Sequence, residues 1–358
     1  MTPVALSVVL EWLSKSGLVE DGSLECGGVE NRNLECRDLV CRENFLLTGF
    51  AALDKANESD VTFWLADTCK SETNANGFPA EALRSVKAGL LFVPKECAAS
   101  TSAASSAFAT SAAPGVKCVV PVKNPYHAMV EFLKEFGENT SGLVSGCAAS
   151  AEVHPSAVIE GFVGENTFVG PNCVVMRGAR IGANCRLEAN VTIYPNVEVG
   201  EGCIFQAGAV IGSRGFGFYE YEGRRLMVPH VAGVRIGCRS SFGANMVVAA
   251  GFVSPTTIGN DCHFDSFVQI AHNCVLGNNI FMASQSGIAG TVTVEDDVEF
   301  AGGAQSAGHL TIGKGARIAA KAGVTKNVPA GRTVAGFPAV EIDQWRRSVV
   351  NLRLMAKK

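Results

Sequence analysis

"VGENTFVGPNCVVMRGARIGANCRLEANVTIYPNVEVGEGCIFQAGAVI", residues 163–211, places an apolar side chain at every sixth position: Val163, Val169, Val175, Ile181, Leu187, Ile193, Val199, Phe205 and Ile211. The phase is lost across 212–235. It resumes at Ile258 and runs through Phe264, Ile270, Leu276, Met282, Ile288, Val294, Phe300, Ser306, Ile312, Ile318 and Val324. Twenty of these twenty-one positions are apolar, where a 47% hydrophobic chain would supply about ten by chance. An α-helix repeats every 3.6 residues and an ordinary strand every 2. A strict period of six therefore means short strands separated by turns, each sending one large residue inward. The residue after the apolar one is often glycine, as at Gly164, Gly182 and Gly200, which we assign to the tight corners. Three hexads close one triangular coil of eighteen residues. Residues 163–216 supply three coils, 236–253 one and 258–329 four, a prism of about 38 Å at about 4.8 Å per coil.

The cysteines fit this scheme. The chain has thirteen, an odd number with no C-x-x-C pair, so neither a disulfide framework nor a zinc ribbon is indicated and a reducing compartment is expected. Cys173, Cys185, Cys203, Cys262 and Cys274 all take the fifth place of a hexad, where a small apolar group packs a corner. A net charge of −4 gives no overall attraction to nucleic acid. With neither a secretory leader pattern nor an apolar run of about twenty residues, the expectation is a protein without an integral membrane segment, located in the cytoplasm.

Before residue 150 the hexad signal vanishes. "LSVVLEWL" (6–13) has helical spacing, "VTFWL" and "GVKCVVPV" read as strands, and "NPYHAMVEFLKEF" starts a helix with Asn124 as cap and Pro125 in the first turn. We expect a small α/β domain over 1–145, a parallel β-helix over 150–330 and a helical tail over 338–358. The low-complexity run 98–113 reads as a surface loop. The excursion 212–235 is long enough to leave the prism and return; its Gly215 and Gly217 could cradle a phosphate, although a hairpin is the simpler account. The tail carries Trp345, Val349 and Leu352 on one helical face, with Arg346, Arg347, Arg353, Lys357 and Lys358 making that end basic.

Coil arithmetic ranks the six histidines. His272 is third in its hexad, Gly290 lies eighteen residues later and so one coil above it, and His309 falls on the same side two coils along. Asp265 is one side earlier in the coil of His272. A neutral imidazole can take a proton from an attacking amine or hydroxyl, and a backbone N–H such as that of Gly290 can steady an oxyanion, so the cluster suits acyl transfer. His127, His154, His230 and His263 read as packing or surface residues. Only two histidines share the face, fewer than a zinc site needs, so no metal is expected.

The stretches "QIAHN" (269–273), "GIAGTVTV" (287–294), "SAGHLTIG" (306–313), "ANVTIY" (189–194), "GFGF" (215–218) and "VKNPY" (122–126) together resemble the UDP-3-O-(3-hydroxyacyl)glucosamine N-acyltransferases of lipid A biosynthesis. The resemblance implies a mainly β fold, a left-handed parallel β-helix of hexapeptide repeats with a small N-terminal α/β domain and a short C-terminal helix. It implies a homotrimer with sites between adjacent prisms, in which acyl carrier protein delivers a 3-hydroxyacyl thioester to the 2-amine of UDP-3-O-acyl-glucosamine. His272 would be the general base, Asp265 its orienting partner and Gly290 the oxyanion donor. His309 would contact the diphosphate and Phe63 stack on uracil. No resident cofactor is expected, since 4′-phosphopantetheine arrives on the acyl carrier protein, whose acidic surface would meet the basic tail. The family's asparagine and tyrosine beyond the stacking phenylalanine are Ala66 and Cys69 here, and its "DRGA" corner is Ala249, Ala250, Gly251 and Phe252; Asp265, His272 and His309 lie outside that change. Gly323, in the coil above His309, leaves room for a long acyl chain. The alternative is a UDP-N-acetylglucosamine O-acyltransferase or another hexapeptide-repeat acyltransferase, although the O-acyltransferases place their prism near the N-terminus and a larger helical domain after it.

Overall fold

The computed structural model describes residues 1–19, 35–36, 45–52, 55–63, 86–94, 115–138, 143–336 and 339–355. The run 98–113, Ala66, Cys69, Lys357 and Lys358 lie outside them. Three parallel sheets form the sides of a prism. One runs from Val158–Ile159 to Gly323–Val324, a second from Gly146–Cys147 to Thr311–Ile312, and the third from Glu152–Val153 to Thr333–Val334. Each residue pairs with the one eighteen ahead through the regular coils, as in Val163 with Ile181 and Ile270 with Ile288. The apolar hexad positions converge on one continuous core, within which the rings of Phe205 and Phe242 stack at 4.6 Å between centroids, a contact worth about 0.5–1.5 kcal/mol beyond its burial.

The prism is longer than the six-residue count implies. At its start Val163 pairs with Cys147 and Val169 with Val153; near its end Ile318 pairs with Val334. Each of these steps is sixteen residues, so a search in steps of six falls out of phase. Between Val199 and Ile236 the step is thirty-seven, because the excursion leaves the prism. Between Ile236 and Ile258 it is twenty-two, because four extra residues bulge around 250–254.

The corners are also made differently from expectation. The left-handed residue is the fourth of the hexad, where Asn166, Asn172, Asn184 and Asn190 have φ between 53° and 60°. Asparagine tolerates this region better than other side chains that carry a Cβ. The second-place glycines serve close approach: a Cβ on Gly164 would lie 2.7 Å from the Gly182 carbonyl carbon in the next coil. The fifth-place cysteines are buried, and their thiols donate to carbonyls of the next coil, as from Cys274 to Ala289 at 3.2 Å. Burial pushes the Cys274 thiol up to about 11, which suits packing rather than thiolate chemistry.

Helices α1 (Leu6–Ser16) and α2 (Pro125–Phe136) pack with a five-stranded sheet into a second core. Asn124 caps α2 as expected, its Oδ1 accepting the His127 amide at 3.0 Å. Val228 and Phe252, from the excursion and the bulge, are buried in that second core. The excursion is a hairpin, Phe218–Tyr221 against Arg224–Met227, as the simpler account had it. Its Tyr219 hydroxyl meets His127 Nδ1 at 2.7 Å, and Tyr221 stacks on the same imidazole at 3.8 Å. Helix α3 (Ile342–Met355) buries none of its side chains within the chain. Among the described residues no helix is long and apolar enough to cross a membrane.

Candidate active site

His272 follows the strand Gln269–Ile270 and sits half-buried at a corner of the prism. Its Nδ1 lies 3.1 Å from Oδ1 of Asn273. Three other hydrogen bonds fix Asn273. Its Nδ2 donates to the Ser254 carbonyl at 2.9 Å, its Oδ1 accepts the Phe252 amide at 3.1 Å, and its own amide donates to Thr256 Oγ1 at 2.9 Å. With Nδ2 committed to a carbonyl, Oδ1 can only accept, so the proton of His272 resides on Nδ1 and Nε2 carries the lone pair. That is the tautomer a general base requires.

Gly290 lies against this nitrogen. A Cβ built there would fall 2.7 Å from both Cε1 and Nε2 of His272, so glycine is what lets the ring lie over this backbone. The next coils continue the stack. The Thr291 amide donates to the His272 carbonyl at 3.0 Å, and the His309 amide to the Gly290 carbonyl at 3.1 Å. His309 occupies a fourth hexad place with φ 59°, an exposed left-handed corner where asparagine or glycine usually stands. Phe267, Gln285, Thr291 and Lys321 hold the same conformation at their own corners, so the position of His309 follows from the repeat. His272, Gly290 and His309 thus share one edge, as the coil arithmetic requires.

Asp265 does not join them within the chain. It follows a strand of a different sheet, and its carboxylate accepts the Ser266 amide at 2.7 Å and the Ser284 amide at 3.2 Å. The expected orienting partner is therefore replaced, inside one chain, by Asn273. The altered corner 249–252 is not remote either, because the Phe252 amide reaches Asn273 directly. Phe63 lies apart from the histidines in an aromatic group, 5.6 Å from Tyr126 and 6.2 Å from Phe252 between centroids.

His230, expected to be a packing residue, is beside the site. Its ring centroid is 4.7 Å from that of His272, and burial together with the neighbouring His272 and Arg214 pushes its pKa down to about 4. Gly215 and Gly217 let the excursion pass close to the histidines, since a Cβ on Gly215 would meet His272 and His230 and one on Gly217 would meet His230. His263 bonds Ser241 Oγ at 2.8 Å on another side of the prism. Among the described residues, no three of His, Cys, Asp and Glu converge as a metal site would require.

The profile of the bacterial transferase hexapeptide (six repeats) matches residues 161–194 and 178–213. A UDP-3-O-acylglucosamine N-acyltransferase of Hydrogenovibrio crunogenus is 47% identical over 196 residues, 54% of this chain and 56% of that protein. One of Rickettsia bellii is 46% identical over 175 residues, 49% of this chain and 51% of that protein. The chain spans about half the length of the curated relatives it matches. A solved LpxA from Acinetobacter baumannii overlaps 56% of this chain and 77% of its own at 23% identity, with a TM-score of 0.44. Residues 161–213 therefore match bacterial transferase hexapeptide repeats within a parallel β-helix, and about half of the chain resembles the UDP-3-O-acylglucosamine N-acyltransferases.

Proposed function

We propose that the chain transfers a 3-hydroxyacyl group from the 4′-phosphopantetheine thioester of acyl carrier protein to the 2-amine of UDP-3-O-acyl-glucosamine, a step of lipid A biosynthesis. The activity for which its relatives are named supports the substrate class. The observation that carries the reading is the His272 tautomer, with Nδ1–H tied to Asn273 and the Nε2 lone pair beside Gly290.

In this reading the amine nitrogen attacks the thioester carbon while His272 Nε2 takes one of its protons. The carbonyl electron pair moves onto oxygen, where the Gly290 N–H donates to it. Collapse re-forms the carbonyl and breaks the C–S bond, and the proton held on His272 passes to the departing sulfur, leaving an amide and a free carrier thiol. His309 contacts the diphosphate of the sugar nucleotide and Phe63 stacks on its uracil. No resident cofactor takes part.

The chain acts as a homotrimer with sites between prisms. Exposed Phe267 and Phe281, 57% and 47% accessible, are apolar surface that a second copy would cover. In such an assembly Asp265 serves the His272 of a neighbouring copy rather than its own. Arg346, Arg347 and Arg353 on α3 offer the carrier protein a positive surface. Among the described residues, the free and buried Cys173, Cys185, Cys203, Cys262 and Cys274 suit a reducing cytoplasm.

An acylation assay of the wild type and His272→Ala with free-amine and N-acetylated UDP-sugars tests this. Amide formation only with the free amine, lost at least about 100-fold in the variant, is the expected result. Turnover of the acetylated sugar instead, or full activity in His272→Ala, rejects it.

A further inference from the structure

His230 lies on the return arm of the excursion and is only 9% exposed. Its Nδ1 stands 3.0 Å from the Val228 carbonyl oxygen, which can only accept, so the proton is on Nδ1. Val228 is in turn buried in the core of the N-terminal domain, which fixes the anchor. The imidazole plane is tilted 52° to that of His272. At the junction sits Gly215, where a Cβ would fall 2.7 Å from His272 Cβ and 2.9 Å from both Cδ2 and Nε2 of His230. A Cβ on Gly217 would reach His230 Cε1 at 2.7 Å. His230 therefore packs against one side of the imidazole that also lies over Gly290, and it closes that side to a change of rotamer.

We propose that His230 is a positioning residue for His272, a ring held by the Val228 carbonyl that keeps the neighbouring imidazole aligned over Gly290. This rests on the reading of His272 as the base. The charged or titratable groups facing His230 are His272 itself and Arg214, and beside both of them His230 stays uncharged at neutral pH. When His272 takes a proton, it does so without a second positive ring at its side.

The test uses the full chain and the variants His230→Ala and His230→Phe. Misplacing a base by about 1 Å can cost about 100-fold. His230→Ala should lower kcat by about 10- to 100-fold with KM for both substrates within about twofold, and His230→Phe, which refills the space with a ring, should recover kcat to within about threefold of wild type. A change confined to KM, an alanine variant within twofold of wild-type kcat, or a phenylalanine variant no better than alanine overturns the proposal.

A second readout needs no turnover. Carbethoxylation of His272 by diethyl pyrocarbonate, followed peptide by peptide, should quicken by about threefold or more in His230→Ala and return toward the wild-type rate in His230→Phe. Absent amide formation by the wild type would reject the acyltransferase reading, whereas an unchanged His272 modification rate in His230→Ala would reject the positioning role. If His230→Ala does not fold, His230→Val is judged by the same criteria.

Discussion

Asn273 Oδ1 accepts from His272 Nδ1 at 3.1 Å and from the Phe252 amide at 3.1 Å, so one oxygen joins the imidazole to the bulge at 250–254. Asn273→Ala removes that acceptor, frees the ring to adopt either tautomer and takes from the Ser254 carbonyl the Nδ2 donor it has here. Wrong-tautomer populations and ring rotation together should lower kcat by about 10- to 100-fold. Asn273→Asp keeps an oxygen for Nδ1–H and tolerates the φ of 59° at this corner, so it should retain activity within about tenfold of wild type. Steady-state kinetics of the two variants decide the matter; equal loss in both would mean that the acceptor oxygen is not what matters.

Gly290→Ala separates catalysis from stability. The new Cβ would meet the tip of the His272 side chain at 2.7 Å. That tip belongs to a half-buried residue that can swing aside, so the fold should hold and the thermal midpoint should move by no more than about 2 °C. The displaced imidazole no longer faces the acceptor amine, and kcat should fall by about 100-fold. Calorimetry beside kinetics checks both halves, and an active Gly290→Ala enzyme would show that the ring does not need this backbone.

The prism was legible because one inward residue in six leaves a period that no helix or ordinary strand produces. Its ends were not, since the coils that pair Val163 with Cys147 and Ile318 with Val334 are two residues short and break the phase. His272, Gly290 and His309 could be stacked by counting, because they lie within regular coils. His230 could not, because it sits on the excursion, where counting stops and only the tertiary path of the hairpin brings it back. Asn273 stands next to His272 in the chain, yet its amide is oriented by Ser254 and Phe252, which approach only because the preceding coil bulges. Counting put Asp265 one side back in the coil of His272 and the resemblance gave it an orienting role, but that one side is a different sheet, and inside one chain the neighbouring backbone amides hold its carboxylate.

Buried His230 should make the fold acid-sensitive in a defined window. Its pKa is pushed down to about 4 in the folded chain, while an unfolded histidine titrates near 6.5. Between these values the unfolded state binds the extra proton, so stability is full above about pH 6.5 and declines as pH falls toward about 4. The loss between pH 7 and pH 5 is about 1–2 kcal/mol from this group. Urea unfolding of the wild type and His230→Phe at both pH values isolates it, because the other titrating groups are common to the two proteins. The wild type should lose more stability on acidification than the variant by about that amount; parallel losses would contradict a neutral buried His230.

Gly323 offers the last test, on acyl length. It pairs with Gln305 in the sheet that carries Ile270 and Ile288, and a Cβ there would meet nothing within 4 Å. A larger side chain at this position therefore projects into open space and leaves the prism intact. If the acyl chain runs along this edge from His272 past His309, Gly323→Leu occupies the path of its far end while leaving the reacting thioester untouched. Each buried methylene is worth about 0.8 kcal/mol, so displacing the last few should cost a long chain more than tenfold in kcat/KM and a short one little. Carrier thioesters from about 10 to 18 carbons, assayed with wild type and Gly323→Leu, should show the preferred length moving down in the variant. An unchanged length profile would place the acyl chain on another face of the prism, whereas uniform loss at every length would mean that the substitution reaches the thioester itself.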